Sequence, residues 1–150
     1  MIEPIVIVVD FDGTCVSHEF PLVGNDIGAV PVLQALVSAG HKLVLSTMRS
    51  NRDSGHLDDA VAWFEENAIP LYGVQENPTQ IEWTAIPKAH GDIEIDDRAL
   101  GCPLKEDELI SDSPFVDWDA VRRMLEQQGV LPSSFIDSVK FKRRVYDILR

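Results

Sequence analysis

Short apolar runs alternate with amphipathic stretches along the first hundred residues of the chain. The first run, residues 5–9, contains only isoleucine and valine and stops at Asp10. A run of β-branched residues of this length is typical of a strand buried on both faces of a parallel sheet. Strands are also predicted at residues 41–47, 71–74 and 92–98. The pattern therefore indicates a mainly parallel sheet.

The segments between these runs have the spacing of amphipathic helices. Near residues 58–67, apolar side chains recur every three to four positions opposite a face that bears acids. A second helix is predicted over residues 26–39, where Gly40 would end it. Strands that alternate with helices indicate an α/β fold.

The C-terminal third is predicted to be helical. Residues 116–128 form one amphipathic stretch, with Asp117 as a candidate N-cap and with Val121, Met124 and Leu125 expected to pack on the sheet. After a proline, residues 133–150 predict a final helix with five basic and two acidic residues. That helix could dock on the acidic remainder of the chain or face an anionic partner.

Two aspartates follow the first apolar run. Asp10 would end the strand, and Asp12 lies just beyond it in a loop that Gly13 allows to turn sharply. In parallel α/β sheets the chemistry takes place at the carboxyl ends of the strands. Two carboxylates at one such end repel each other unless a cation lies between them. Oxygen ligands of this kind suit Mg²⁺, which binds few carboxylates and keeps waters and a substrate phosphate.

The Asp-Phe-Asp-Gly-Thr sequence at residues 10–14 resembles the first motif of the haloacid dehalogenase (HAD) superfamily of phosphotransferases. The second apolar run ends in Ser46 and Thr47, which resembles the second motif, where a hydroxyl binds the transferring phosphoryl group. Thr47 is favoured because Thr47-Met48-Arg49 resembles the frequent Thr-x-Arg ending of that motif, and Ser46 is the alternative.

The other two motifs follow in the order of the family. Lys88 is the only Lys or Arg between Arg52 and Arg98, and it resembles the lysine that balances charge on the nucleophile and phosphate. Asp96 and Asp97 end the fourth run and resemble the family's paired acids, which complete a magnesium site. Asp97 is favoured as the direct ligand, and Asp96 as a ligand or as the hydrogen-bond partner of one.

The resemblance implies a Mg²⁺-dependent phosphatase with a three-layer α/β/α sandwich around a Rossmann-like sheet. Asp10 would attack phosphorus and form an aspartyl-phosphate, while Asp12 would protonate the leaving group and then activate water. Thr47 or Ser46, together with Lys88, would hold the phosphoryl oxygens. The magnesium site would comprise Asp10, Asp12, Asp96 and Asp97.

Other side chains near the motifs are candidates for contact with the substrate. Arg49 is expected to bind its non-reacting part, whereas Arg98 would neutralise the acidic pair. His18, in the loop after the first motif, is expected either near the mouth of the site or as a surface histidine. Cys15 lies beside the Asp-Gly-Thr turn, where oxidation could block the site.

The length of 150 residues predicts a single domain over residues 1–150, with a motif-bearing core of about 3–128. Many HAD proteins insert a cap domain between motifs, but the intervals at residues 15–41 and 48–87 are too short for one. The chain is therefore expected to be a capless phosphatase. Its open site would suit a large substrate, or a small one if a neighbouring subunit in a homo-oligomer closes it.

The composition narrows the range of partners. A net charge of −12 disfavours nucleic acid, whereas a phosphorylated small molecule or macromolecule responds to the local charge and the metal. The two cysteines are far apart, and neither a signal peptide nor an apolar stretch of transmembrane length is evident. These features indicate a cytoplasmic protein with reduced thiols and no membrane contact.

Three other classes share part of this pattern. Response-regulator receiver domains also combine acids, a hydroxyl and a lysine around magnesium, but they place the acid pair first and the phosphorylated aspartate on a middle strand. The order of motifs here excludes them. A phosphotransferase or phosphomutase would use the same residues with an alcohol as acceptor. A regulatory or binding protein with negligible turnover would keep the fold but would not need an acid at position 12.

Overall fold

The structure, a computed structural model, describes residues 2–133. Within this range the chain has an α/β fold with a four-stranded parallel sheet and three α-helices. The predicted strands are all present, each shorter than expected. They are β1 (Val6–Val9), β2 (Lys42–Leu45), β3 (Gly73–Val74) and β4 (Ile93–Ile95). The helix predicted over residues 133–150 lies, apart from Ser133, outside the described residues.

The strand order is β3-β2-β1-β4, so the direction of progress across the sheet reverses beside β1. Val9 at the end of β1 pairs with Leu45 of β2 and with Ile95 of β4. These three strands therefore end level, and the residues that follow them meet at one edge. Ligand sites in open α/β sheets lie at such a reversal, beyond the carboxyl ends of the strands.

The helices are α1 (Ala29–Ser38), α2 (His56–Glu66) and α3 (Trp118–Gln127), close to the three predicted stretches. α1 begins three residues later than expected. Before it, Gly28 adopts a φ of +93° and donates its N–H to Asp26 Oδ1 at 2.9 Å, a turn that delays the helix. Asp117 caps α3 as predicted, because its carboxylate accepts the N–H of Ala120 at 3.2 Å.

The main core lies on one face of the sheet. Ile7 and Val9 are fully buried there, in a cluster that includes side chains from all three helices. Val8 points to the other face, where it packs with Ala89 and Tyr72. Those two residues lie outside the helices, in the segments that precede β4 and β3.

Some local features differ from the prediction. The connection after β3 contains a 3₁₀ turn at Gln80–Glu82, and a hairpin pairs β5 (Leu104–Lys105) with β6 (Phe115–Val116). Elements of two or three residues are too short to give a periodic signal. Met124, expected to pack on the sheet, is 39% exposed, whereas its α3 neighbours Val121 and Leu125 are buried. In the described part of the chain, no helix has both the length and the apolar composition needed to cross a membrane.

Candidate active site

Acidic side chains converge at the carboxyl ends of β1 and β4. Asp10, Asp96 and Asp97 each offer one carboxylate oxygen, and these oxygens all lie within 4.8 Å of one another. The strand register explains this convergence, since Asp10 follows Val9 and donates its N–H to Ile95 O at 3.1 Å. Three carboxylates this close repel one another strongly unless a proton or a cation intervenes.

Thr14 belongs to the acidic cluster, although no role is predicted for it from the sequence. Its Oγ1 lies 3.0 Å from Asp10 Oδ2 and 3.2 Å from Asp97 Oδ1, and it accepts the backbone N–H of Asp97 at 3.0 Å. Thr14 is fully buried, and its carbonyl accepts the indole N–H of Trp118 at 2.7 Å. In the sequence, its position directly after the Asp-Gly turn is the feature that could have indicated this role. The single hydroxyl proton can be donated to only one of the two carboxylates at a time.

The carboxyl groups of this cluster alter one another's pKa values. The pKa of Asp10 is raised from 3.8 to about 7. Burial is the largest cause, and Asp96 and Asp97 add to it, whereas hydrogen bonds from the backbone of Phe11 and from Thr14 act in the opposite direction. For Asp97, burial acts upward, but hydrogen bonds from His18 and Asp10 and the charge of His18 lower its pKa. In the absence of a cation, the Asp10 carboxyl is thus partly protonated near neutral pH. A divalent cation could replace that proton, and the all-oxygen donor set fits Mg²⁺.

His18 supports the cluster from the loop that follows β1. Its Nε2 lies 2.8 Å from Asp97 Oδ2, and its side chain is 30% exposed. Gly13 makes this approach possible, because its φ is +80° and a Cβ there would collide with the His18 ring. The alternative of an ordinary surface histidine is therefore wrong.

Arg49 is buried and forms a bidentate ion pair with Asp12. Its Nε donates to Asp12 Oδ2 and its Nη2 to Asp12 Oδ1, both at 2.8 Å. Nη2 also donates to Leu22 O at 2.8 Å, and Nη1 donates to Pro21 O at 3.4 Å and to His56 O at 3.3 Å. A guanidinium has five N–H donors, and all five have acceptors here. Arg49 thus positions Asp12 in this structure, and it has no free donor for the expected contact with a substrate.

Asp12 was expected to share the magnesium site with Asp10, Asp96 and Asp97. The clustered acids are the other three, whereas the carboxylate of Asp12 is held by Arg49. The reason is geometric: Asp12 lies three residues past the end of β1, in the loop that packs against Arg49.

A cavity of about 380 Å³ opens at this edge of the sheet. Thr47 lines it and Ser46 does not, which favours Thr47 as the candidate phosphate ligand. The Gln75 side chain fixes the backbone of Thr47, accepting its N–H at 2.9 Å and donating to its carbonyl at 2.6 Å. The full lining is Asp10, Asp12, His18, Phe20, Thr47, Met48, Arg49, Asp96 and Arg98. A larger groove of about 700 Å³, between α2 and β3, contains none of the predicted site residues.

Lys88, the predicted phosphate-binding lysine, is exposed and is not among the residues that line this cavity. The buried Gln80 holds its segment, donating to Ile86 O at 2.8 Å and to Lys88 O at 2.7 Å and accepting His90 N–H at 2.6 Å. Lys88 precedes β4, as predicted from the order of the motifs. The hydrogen bonds that Gln80 makes to this segment could not be predicted from the sequence.

The two cysteines are free thiols. Cys15 is fully buried behind the acids, where its Sγ donates to Asp10 O at 3.2 Å. Burial, followed by the charges of Asp10 and Asp12, raises the pKa of this thiol well above its usual range. A buried, protonated thiol is a poor target for oxidation, which weakens the idea of a redox block at Cys15.

Comparison with known proteins finds a similar solved structure but no matching family. No model of a known family matches the sequence, and no curated protein matches it. Among solved structures, a conserved protein coded by a locus from Bacteroides thetaiotaomicron is similar, with a TM-score of 0.66 and 28% sequence identity. The similarity covers 90% of this chain and 97% of that one. It supports the α/β fold, whereas any function must be inferred from the chemistry of the site.

Proposed function

We propose that the protein is a Mg²⁺-dependent phosphatase of the HAD type, which hydrolyses a phosphate monoester through an aspartyl-phosphate. The observation that carries this proposal is the convergence of Asp10, Asp96 and Asp97 at the strand ends, beside a cavity that Thr47 also lines. The resemblance of four ordered sequence motifs to the HAD superfamily supports it. The proposal includes a HAD-like three-layer α/β/α sandwich as the fold.

Asp10 is the nucleophile in this mechanism. Its carboxylate attacks phosphorus as the bond from phosphorus to the leaving oxygen breaks, and Asp12 gives a proton to the departing alkoxide. Water then attacks the aspartyl-phosphate and gives a proton to Asp12, so that Asp10 is regenerated and inorganic phosphate is released. Arg49 holds Asp12 at the cavity, and one of the Asp12 oxygens must leave its arginine donor to take part in proton transfer.

Asp10, Asp96 and Asp97 would hold the magnesium ion. When bound, Mg²⁺ supplies positive charge that stabilises the negative charge of the transferring phosphoryl group. Thr14 and His18 contribute by orienting Asp10 and Asp97 through the hydrogen bonds described above. Thr47 would donate its hydroxyl to a phosphoryl oxygen.

The proposal is tested by hydrolysis of a generic aryl phosphate with wild type and Asp10→Asn, each with Mg²⁺ and with a chelator. Glu94→Gln, which makes the same acid-to-amide change at an exposed position of β4, is the matched control. Activity that requires both Asp10 and the metal, and that survives Glu94→Gln, would support the mechanism. Equal activity in wild type and Asp10→Asn would refute it.

A second candidate is a HAD-fold binding or regulatory protein with negligible turnover. Two observations favour it: Lys88 lies outside the cavity, and Arg49 holds both oxygens of Asp12. This protein would bind inorganic phosphate with Mg²⁺ yet hydrolyse no monoester. A phosphotransferase is distinguished from a hydrolase by adding competing alcohols and looking for a new phosphate ester.

A further inference from the structure

We propose that Arg98 binds the phosphoryl group of the substrate in this cavity, in the role that the sequence resemblance gives to Lys88. The inference rests on the proposed function. Arg98 follows the paired acids at the end of β4 and lines the cavity together with Asp10 and Thr47. Its backbone N–H donates to Asp96 Oδ1 at 2.9 Å, which fixes the main chain at the cavity and leaves the side chain exposed.

The other basic side chains of the cavity are already engaged. Arg49 uses all five donors on Asp12 and three carbonyls, and His18 is hydrogen-bonded to Asp97. Among the described residues, the guanidinium of Arg98 has no hydrogen bond or ion pair, although two acids directly precede it. Its donors are therefore available to a ligand.

The charge of the cavity favours a further basic side chain on the phosphate. Arg49 balances Asp12, but Asp10 and Asp96 also line the cavity, and a phosphate monoester adds further negative charge. A single divalent cation offsets only part of that charge. A guanidinium can donate two parallel hydrogen bonds to phosphate oxygens, and it stays charged throughout the working pH range.

Lys88 does not compete for this role in the observed structure. Its segment is held by Gln80 through three hydrogen bonds, and its side chain is exposed outside the cavity. Arg98, by contrast, already lines the cavity.

The test compares Arg98→Ala, Lys88→Ala and Arg98→Lys in the full chain with saturating Mg²⁺. Arg123→Ala removes the same charge from an exposed position of α3 and is the matched control. The dissociation constant for inorganic phosphate is measured by titration calorimetry, and KM and kcat are measured with an aryl phosphate. The Mg²⁺ concentration at half-maximal activity is also recorded, to separate loss of phosphate binding from damage to the metal site.

We expect Arg98→Ala to weaken phosphate binding at least about tenfold, the usual cost of losing charge-assisted hydrogen bonds, with little change in Mg²⁺ requirement. Arg98→Lys should recover part of the loss, and Lys88→Ala should behave like Arg123→Ala. The inference is overturned if wild type binds no phosphate, if Arg98→Ala weakens binding less than about fivefold, or if Lys88→Ala weakens it as much.

The failure of this inference is distinguishable from failure of the proposed function. Asp10-dependent hydrolysis without any effect of Arg98→Ala would leave the phosphatase standing and remove Arg98 from it. Arg98-dependent phosphate binding without hydrolysis would support Arg98 and favour the binding or regulatory protein over the phosphatase.

Discussion

Replacing Arg49 with methionine should destabilise the fold by about 3 kcal/mol, near the low end of the cost of breaking a buried ion pair from one side. The magnitude follows from the burial of the two partners. The Arg49 side chain is 1% exposed and that of Asp12 is 18% exposed, so water could solvate the abandoned carboxylate only in part. The carbonyls of Pro21, Leu22 and His56 would also lose their donor.

Urea unfolding of the full chain at pH 7 measures this loss, with Arg123→Met as the control for an exposed arginine. Arg49→Lys should lie between wild type and Arg49→Met, since it keeps the charge but cannot form the bidentate pair. Adding Asp12→Asn to Arg49→Met should cost less than the sum of the single changes. A loss below about 1 kcal/mol in Arg49→Met, or a raised KM with unchanged stability, would refute the positioning role and restore substrate binding.

The acidic cluster and its loop give three further predictions. With a chelator present, the free energy of unfolding should fall as the pH rises from about 4 to about 7, because folding raises the pKa of Asp10 from 3.8 to about 7. Urea unfolding of Asp10→Asn should not show this fall. Thr14→Val should cost about 1–3 kcal/mol in the same assay, since the partly buried N–H of Asp97 loses its acceptor, and a neutral effect would contradict the described hydrogen bonds. Gly13→Ala should destabilise more than Gly129→Ala, since both glycines have positive φ but only at Gly13 would the new Cβ meet the His18 ring; equal losses would contradict that packing.

Much of the fold was predictable because strand burial leaves a strong sequence pattern. The apolar run that ends at Asp10 forms the central strand β1, and the helical stripe containing Phe64 forms the buried face of α2. Level strand ends then bring Asp10 and Asp96 together, as the order of the motifs predicted. These features depend on local periodicity and on the rules of parallel sheets.

The parts that failed depend on contacts between distant residues. The backbone of the Lys88 segment is held by Gln80, and Arg49 turns inward because it finds acceptors in three separate segments, at Asp12, at residues 21–22 and at His56. Thr14 gains its place from Asp97, which lies more than eighty residues away. No pattern along the chain indicates such pairings. Spacing therefore predicted which residue types lie near the site, but not which partners they contact.

The central claim is that Asp10 becomes covalently phosphorylated during turnover. The most direct measurement is mass spectrometry of the full-length protein quenched in acid while it hydrolyses an aryl phosphate with Mg²⁺. The account predicts one added phosphoryl group, mapped to the peptide that contains Asp10, labile to hydroxylamine, and missing from Asp10→Asn. Turnover with no phosphorylated protein, or with the label on a different residue, would contradict it.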